Sequence, residues 1–150
     1  MRLEFPAPLR SRIRRDLVAA GRREIGGVLM GEQLAPGHFR IVDFSVDPRS
    51  GGGAHFVRRP EYHREALEEF FARTESEFDR FNYLGEWHSH PSFPTIPSQQ
   101  DVNAMHCLVE HEQEISFSVL LIVRTRWRFM LDYSALLFQR GGYKSKVTFV

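Results

Sequence analysis

Apolar and polar positions alternate along this chain in two periods, one helical and one extended. From Pro8 to Gly21, Leu9, Ile13 and Leu17 recur at every fourth residue, which predicts an amphipathic helix with Gly21 as its stop. Glu24 to Gly31 is short, apolar and glycine-rich, as for a buried strand whose neighbours approach closely. His38 to Val46 reads as a second strand through Phe39, Ile41, Phe44 and Val46, and His55 to Arg58 as a third. The loop between them, Asp47 to Gly53, holds Pro48 and three glycines, the strongest signal for flexibility in the chain. Pro60 opens a helix predicted to run to about Phe81, its stripe formed by Tyr62, Leu67, Phe70, Phe71 and Phe78 and its outer face acidic.

Tyr83 to Trp87 alternate as a strand that continues to His90, where Pro91 ends regular pairing. Ser98 to about Glu112 returns to helical spacing, with Val102, Met105 and Val109 inward. Ile115 to Val123, Trp127 to Phe138 and Tyr143 to Val150 predict three final strands, with turns at Arg124–Arg126 and Arg140–Gly142. The order α-β-β-β-α-β-α-β-β-β is that of one mixed α/β domain over residues 1–150, with helices packed around a curved sheet.

Composition adds mostly exclusions. Hydrophobic content of 42% and charged content of 26% are ordinary for a globular chain. A formal net charge of +1 gives no global reason to expect a nucleic acid or an acidic membrane as partner. Arg10, Arg12, Arg14 and Arg15 share a helix but lack interleaved aromatics, so they read as a solvated face. Cys107 is alone, which rules out an intrachain disulfide and fits a reducing compartment; its type predicts burial in the core. No run approaches the roughly 20 apolar residues of a membrane span, and residues 1–9 lack a signal-peptide core, so a cytoplasmic location is expected.

The candidate chemistry lies in Trp87-His88-Ser89-His90-Pro91 and Pro97-Ser98-Gln99-Gln100-Asp101. At a period of two, His88 and His90 leave the same face of a strand and Ser89 the other. The Pro/Ser/Thr-rich stretch that follows would bring the next helix back toward them. Two histidines and a carboxylate form a ligand set of hydrolytic zinc sites, in which a further position stays open for water. Ser98 and Asp101 also form a capping-box pattern, and the two roles are compatible at one helix N-terminus. His38, His55, His63, His106 and His111 lack convergent spacing. Glu86 shares the face of His88 and is a candidate to support it. Trp87 is expected to pack beneath the site.

These residues resemble the JAMM (MPN+) metalloproteases, whose motif is an upstream Glu, then His-x-His, ten residues and Asp. Ten residues separate His90 from Asp101, and Glu24-Ile25-Gly26-Gly27-Val28-Leu29-Met30-Gly31 is similar to the family's E-x-x-G-x-L-x-G. Glu32 lies outside that spacing. The resemblance implies the JAMM/MPN-like (cytidine-deaminase-like) fold. It also implies a Zn²⁺ ion on His88, His90 and Asp101, Glu24 as general base and then acid, and Ser98 supporting the oxyanion. The substrate it implies is a ubiquitin-like protein or its conjugate, cleaved at the amide after the C-terminus. Implied partners are E1- and E2-like enzymes such as those of antiphage operons. Tail processing of a sulfur carrier, hydrolysis of a small amide and a non-catalytic interaction module are the alternatives. A Gly-rich tail would add along a sheet edge by main-chain hydrogen bonds, with Gly51-Gly52-Gly53 as a candidate flap.

Overall fold

The computed structural model describes residues 1–47 and 60–150, of which 60–62 as backbone only. The expected His55–Arg58 strand and the Gly51–Gly53 flap lie outside the described residues. The elements run β1 (Arg2–Glu4), α1 (Ala7–Ala20), β2 (Gly26–Ala35), β3 (His38–Phe44), α2 (Pro60–Arg73) and β4 (Phe81–Ser89). They continue with α3 (Gln99–His111), β5 (Phe117–Arg126), β6 (Met130–Gln139), β7 (Tyr143–Lys146) and β8 (Thr148–Phe149). Among the described residues the strands form one mixed sheet in the order β7-β6-β5-β4-β2-β3-β1-β8. β4, which carries the two histidines, is central: antiparallel to β2 on one side and parallel to β5 on the other.

Each face of the sheet has its own core. On one, Ile13 and Leu17 of α1 meet Leu29, Trp87, Leu121 and Val123. On the other, Phe70 of α2 packs with Val28 and Met30, and Met105 and Val109 of α3 pack with Leu120 and Ile122. Burying each such large side chain contributes about 1.5–3 kcal/mol. The register between β2 and β4 jumps from Leu29↔Gly85 to Met30↔Tyr83, so Leu84 is an extra, bulged residue. The bulge lets Leu84 and Trp87, three apart, enter the same core.

Gly27 shows why the strand ahead of the site is glycine-rich. A Cβ there would lie 2.0 Å from the Ser45 carbonyl oxygen. That carbonyl instead comes close enough to accept a 2.9 Å hydrogen bond from Trp87 Nε1, tying the fully buried indole to the chain after β3. The predicted close approach of neighbours is therefore real and has a defined contact.

Four expectations need correction. β1 was not foreseen; its three residues pair in parallel with β3 and β8, and this non-local pairing leaves no local periodicity. α2 ends at Arg73 rather than near Phe81, because Glu75 and Ser76 adopt left-handed backbone (φ 54° and 56°). Phe78 consequently falls outside the helix and is 52% exposed. The turn expected at Arg124–Arg126 lies beyond it: β5 runs through Arg126 and the chain reverses at Trp127–Phe129. The last predicted strand is broken into β7 and β8 at the buried Val147.

Candidate metal centre

β4 delivers His88 at its end and His90 just past it, where the His90 N–H still pairs with the Val123 carbonyl (2.9 Å). Ser89 points to the opposite face, and its hydroxyl accepts from the Ile25 N–H at 3.0 Å. The Ser89 N–H in turn donates to the Ile25 carbonyl at 2.8 Å. The small residue between the histidines is thus a clamp onto the chain entering β2, a role that sequence reading missed.

The clamp has a consequence for Glu24. Gly26 pairs with His88 and Gly27 with Trp87 in antiparallel register. Carried through the Ile25–Ser89 contacts, that register sets Glu24 opposite His90, and directly opposed residues of an antiparallel pair share a face. Glu24 is 8% exposed, like His90.

α3 supplies the carboxylate. Ser98 caps the helix: its N–H and hydroxyl both donate to Asp101 Oδ2 at 2.7 Å, and its oxygen accepts from the Asp101 N–H at 3.1 Å. With Oδ2 held in this capping box, Oδ1 faces His88 Nε2 at 3.6 Å. Burial alone would raise the pKa of Asp101. The hydrogen bond and charge of His88, followed by the hydroxyl and N–H of Ser98, outweigh burial and hold the carboxyl well below its usual range.

One donor atom from each of His88, His90 and Asp101 lies within 4.8 Å of the others. The two Nε2 atoms are 3.1 Å apart, and His90 Nδ1 lies 2.8 Å from the Pro94 carbonyl. A carbonyl only accepts, so Nδ1 carries the hydrogen and, in a neutral ring, Nε2 turns its lone pair inward. Two nitrogens and a carboxylate oxygen around one point are a donor set that fits a zinc ion.

The loop from Pro91 to Pro97 is pinned through three successive carbonyls. Arg124 Nη1 donates to Phe93 O at 3.3 Å, His90 to Pro94 O at 2.8 Å, and the Ser134 hydroxyl to Thr95 O. Arg124 and Ser134 lie far along the chain and carry no sequence signal of this task. Asp47, 2% exposed, follows β3, and its N–H donates to the Gly26 carbonyl at 2.9 Å.

Other candidates resolve differently. Trp87 packs beneath the site as expected, edge-on to Phe44 with ring centroids 5.5 Å apart. Glu86 is half-buried two residues before His88 and is flanked in register by Val28 and Leu120. Glu32 is held by Arg80 (2.9 and 2.6 Å), which gives it a structural role. His106 stands edge-on to Phe138. Cys107 is exposed, contrary to the expected burial: α3 turns Met105, Leu108 and Val109 inward, leaving position 107 outside. Arg12 is bound to Asp43 (2.6 Å) and the Phe44 carbonyl (2.9 Å), so part of the arginine face of α1 is structural. Among the described residues the outer strands are β7 and β8, neither of which adjoins β4. No helix among them is long and apolar enough to cross a membrane.

A central strand presenting two histidines to a capped helix N-terminus defines a mixed α/β domain with a candidate metal centre. Residues 6–132 match the family of prokaryotic homologs of the JAB domain, and the chain belongs to that family. It is 32% identical over 111 residues to the CD-NTase/cGAS isopeptidase of Vibrio cholerae serotype O1; the match covers 72% of this chain and 65% of that protein. Solved structures share the fold. A Desulfitobacterium hafniense protein superposes with a TM-score of 0.69 at 16% identity, covering 99% of this chain and 92% of its own. A JAB1/MPN domain protein of Archaeoglobus fulgidus gives 0.50 at 16% identity, covering 100% and 99%.

Proposed function

We propose that this chain is a zinc-dependent isopeptidase that hydrolyses the amide bond after the C-terminus of a ubiquitin-like protein. The observation that carries this reading is the convergence of donor atoms from His88, His90 and Asp101 within 4.8 Å. Family membership and the isopeptidase name of the Vibrio cholerae relative support the reaction class. A conjugate as substrate, E1- and E2-like enzymes as its makers, a cytoplasmic setting and a part in antiviral defence complete the proposal.

His88, His90 and Asp101 would hold Zn²⁺, which when bound supplies a Lewis acid that acidifies water and polarises a carbonyl. His88, with the Ser98 capping box behind it, keeps Asp101 ionised, and the Pro94 carbonyl keeps His90 in the tautomer that offers Nε2. Glu24 moves the proton: its carboxylate takes one from water as the new C–O bond forms. It then gives that proton to the amine nitrogen as the C–N bond breaks. Ser98 can turn its hydroxyl from Asp101 toward the developing oxyanion.

The test is cleavage of a tail-linked ubiquitin-like conjugate by the zinc-loaded protein, by the chelated protein and by Glu24→Gln. Release by the zinc-loaded protein alone is the expected result. Equal release by the chelated protein would refute a metal mechanism. A stable complex without stoichiometric metal would make the chain an interaction module, and hydrolysis confined to small amides would make it an amidase.

A further inference from the structure

Exposed apolar surface is concentrated at one end of the sheet. Phe93 (58%), Ile96 (70%), Trp127 (68%), Phe129 (66%) and Met130 (43%) are five of the eight large apolar side chains exposed among the described residues. The first two lie on the loop pinned beside the candidate metal centre, where the Phe93 ring stands edge-on to His90. The other three form the turn between β5 and β6 and its closing pair Arg126↔Met130.

The strands join the two groups. Arg124 holds Phe93 O, and its partner in register is Asp132. The pair Arg126↔Met130 follows two residues further along, about 6–7 Å away and on the same face. The two apolar groups therefore share one end of the sheet, on either side of the ion-paired Arg124, Asp132 and Arg126.

The turn itself is held in an unfavourable shape. Trp127 and Arg128 have φ of 49° and 67°, a region that L residues enter at a cost of order 1–2 kcal/mol. The long β5–β6 ladder sets that reversal, and the indole lies open beside Phe129 with the Arg126 guanidinium 5.0 Å from its ring. Two open aromatic rings side by side on a tight turn form an apolar patch of the kind that marks a contact made with something else. The surroundings are basic on balance: Asp132 is shared by Arg124 (3.1 Å) and Arg126 (3.6 Å), Arg128 is in the hairpin, and Arg14 reaches over from α1 to the Arg128 carbonyl.

We propose that the β5–β6 turn, with Phe93 and Ile96, is a docking surface for the folded body of the conjugated protein, and that this body presents an apolar patch rimmed by carboxylates. The inference rests on the isopeptidase reading for the identity of the partner. Tryptophan and arginine are the side chains that most often dominate such contacts. Charge complementarity selects an acidic rim. A place at the same end of the sheet as the candidate metal centre, with Arg124 tied to the Phe93 carbonyl, selects the substrate over an unrelated protein.

The probes are linear fusions in which ubiquitin-fold domains of graded surface charge carry one Gly-Gly tail, with the bare tail peptide beside them. Trp127 is the exposed tryptophan and Trp87 the buried one, so docking should shift the solvent-exposed component of emission to the blue. We expect a saturable shift with acidic fusions that weakens as salt rises. Trp127→Ser with Phe129→Ser should raise KM for the acidic fusion about ten-fold or more, with kcat, zinc content and melting temperature held. No shift with any fusion would overturn the proposal. So would a shift produced by anionic vesicles or a single-stranded oligonucleotide instead, or an equal loss on the bare peptide. Fusions that dock at the turn, when neither they nor lysine-linked conjugates of the same domains are cleaved, would uphold the surface and refute the isopeptidase reading.

Discussion

Glu24 and Glu32 lie toward opposite ends of the same stretch of chain, and each is 8% exposed. Glu32 is gripped by Arg80 through two hydrogen bonds, with Arg40 3.6 Å away. Among the described residues no arginine or lysine forms a salt bridge with Glu24; instead the β2–β4 register sets it opposite His90. A buried carboxylate needs a partner, and a fixed guanidinium gives it a permanent one. A carboxylate meant to pass a proton on must not be locked in that way. Equal burial thus goes with two different surroundings, and the proton-transfer role proposed for Glu24 requires the one without a fixed guanidinium.

The largest expected effect comes from removing a donor atom. His88→Ala should lose both bound zinc and turnover, read by metal analysis and by conjugate cleavage. Glu24→Gln should keep the zinc and lower turnover by about 10²–10⁴-fold, the range for a general base. Wild-type rates in Glu24→Gln would dissolve the contrast with Glu32. Glu32→Gln should do the reverse, leaving turnover per folded molecule intact while costing about 1–3 kcal/mol in chemical denaturation. A turnover loss there as large as that of Glu24→Gln would show that the two carboxylates are not distinct.

The smallest effect concerns Asp43. Burial would raise its pKa, but hydrogen bonds from Arg73 and Arg12 and from the Phe44 N–H outweigh it and hold the value below the ordinary one. A group depressed on folding stabilises the native state above its unfolded pKa of about 3.9, and that stability is lost as pH falls through the folded value. The stability gap between wild type and Asp43→Asn should therefore be fullest near neutrality and shrink on acidification below about pH 4. A gap that grows toward acid would contradict the assignment.

The site was more legible than the frame around it. His88, Ser89 and His90 are read by strand alternation, and Asp101 by its spacing of eleven residues from His90 at a predicted helix start; these are local patterns. The long apolar runs that became β2, β5 and β6 were legible for the same reason. The end of α2 was not, because left-handed Glu75 and Ser76 bring no glycine to announce the break. Cys107 misled because residue type outweighed its angular position on α3. The Ser89–Ile25 clamp and the pins from Arg124 and Ser134 join residues that only the folded sheet brings together.

The most direct test is anomalous diffraction at the zinc edge on crystals of the zinc-loaded protein. The expected result is one strong peak about 2.0–2.2 Å from an Nε2 atom of His88, an Nε2 atom of His90 and Oδ1 of Asp101. A peak elsewhere, for instance between Cys107 and His111, with none among these three side chains, would contradict the metal centre on which the proposed chemistry depends.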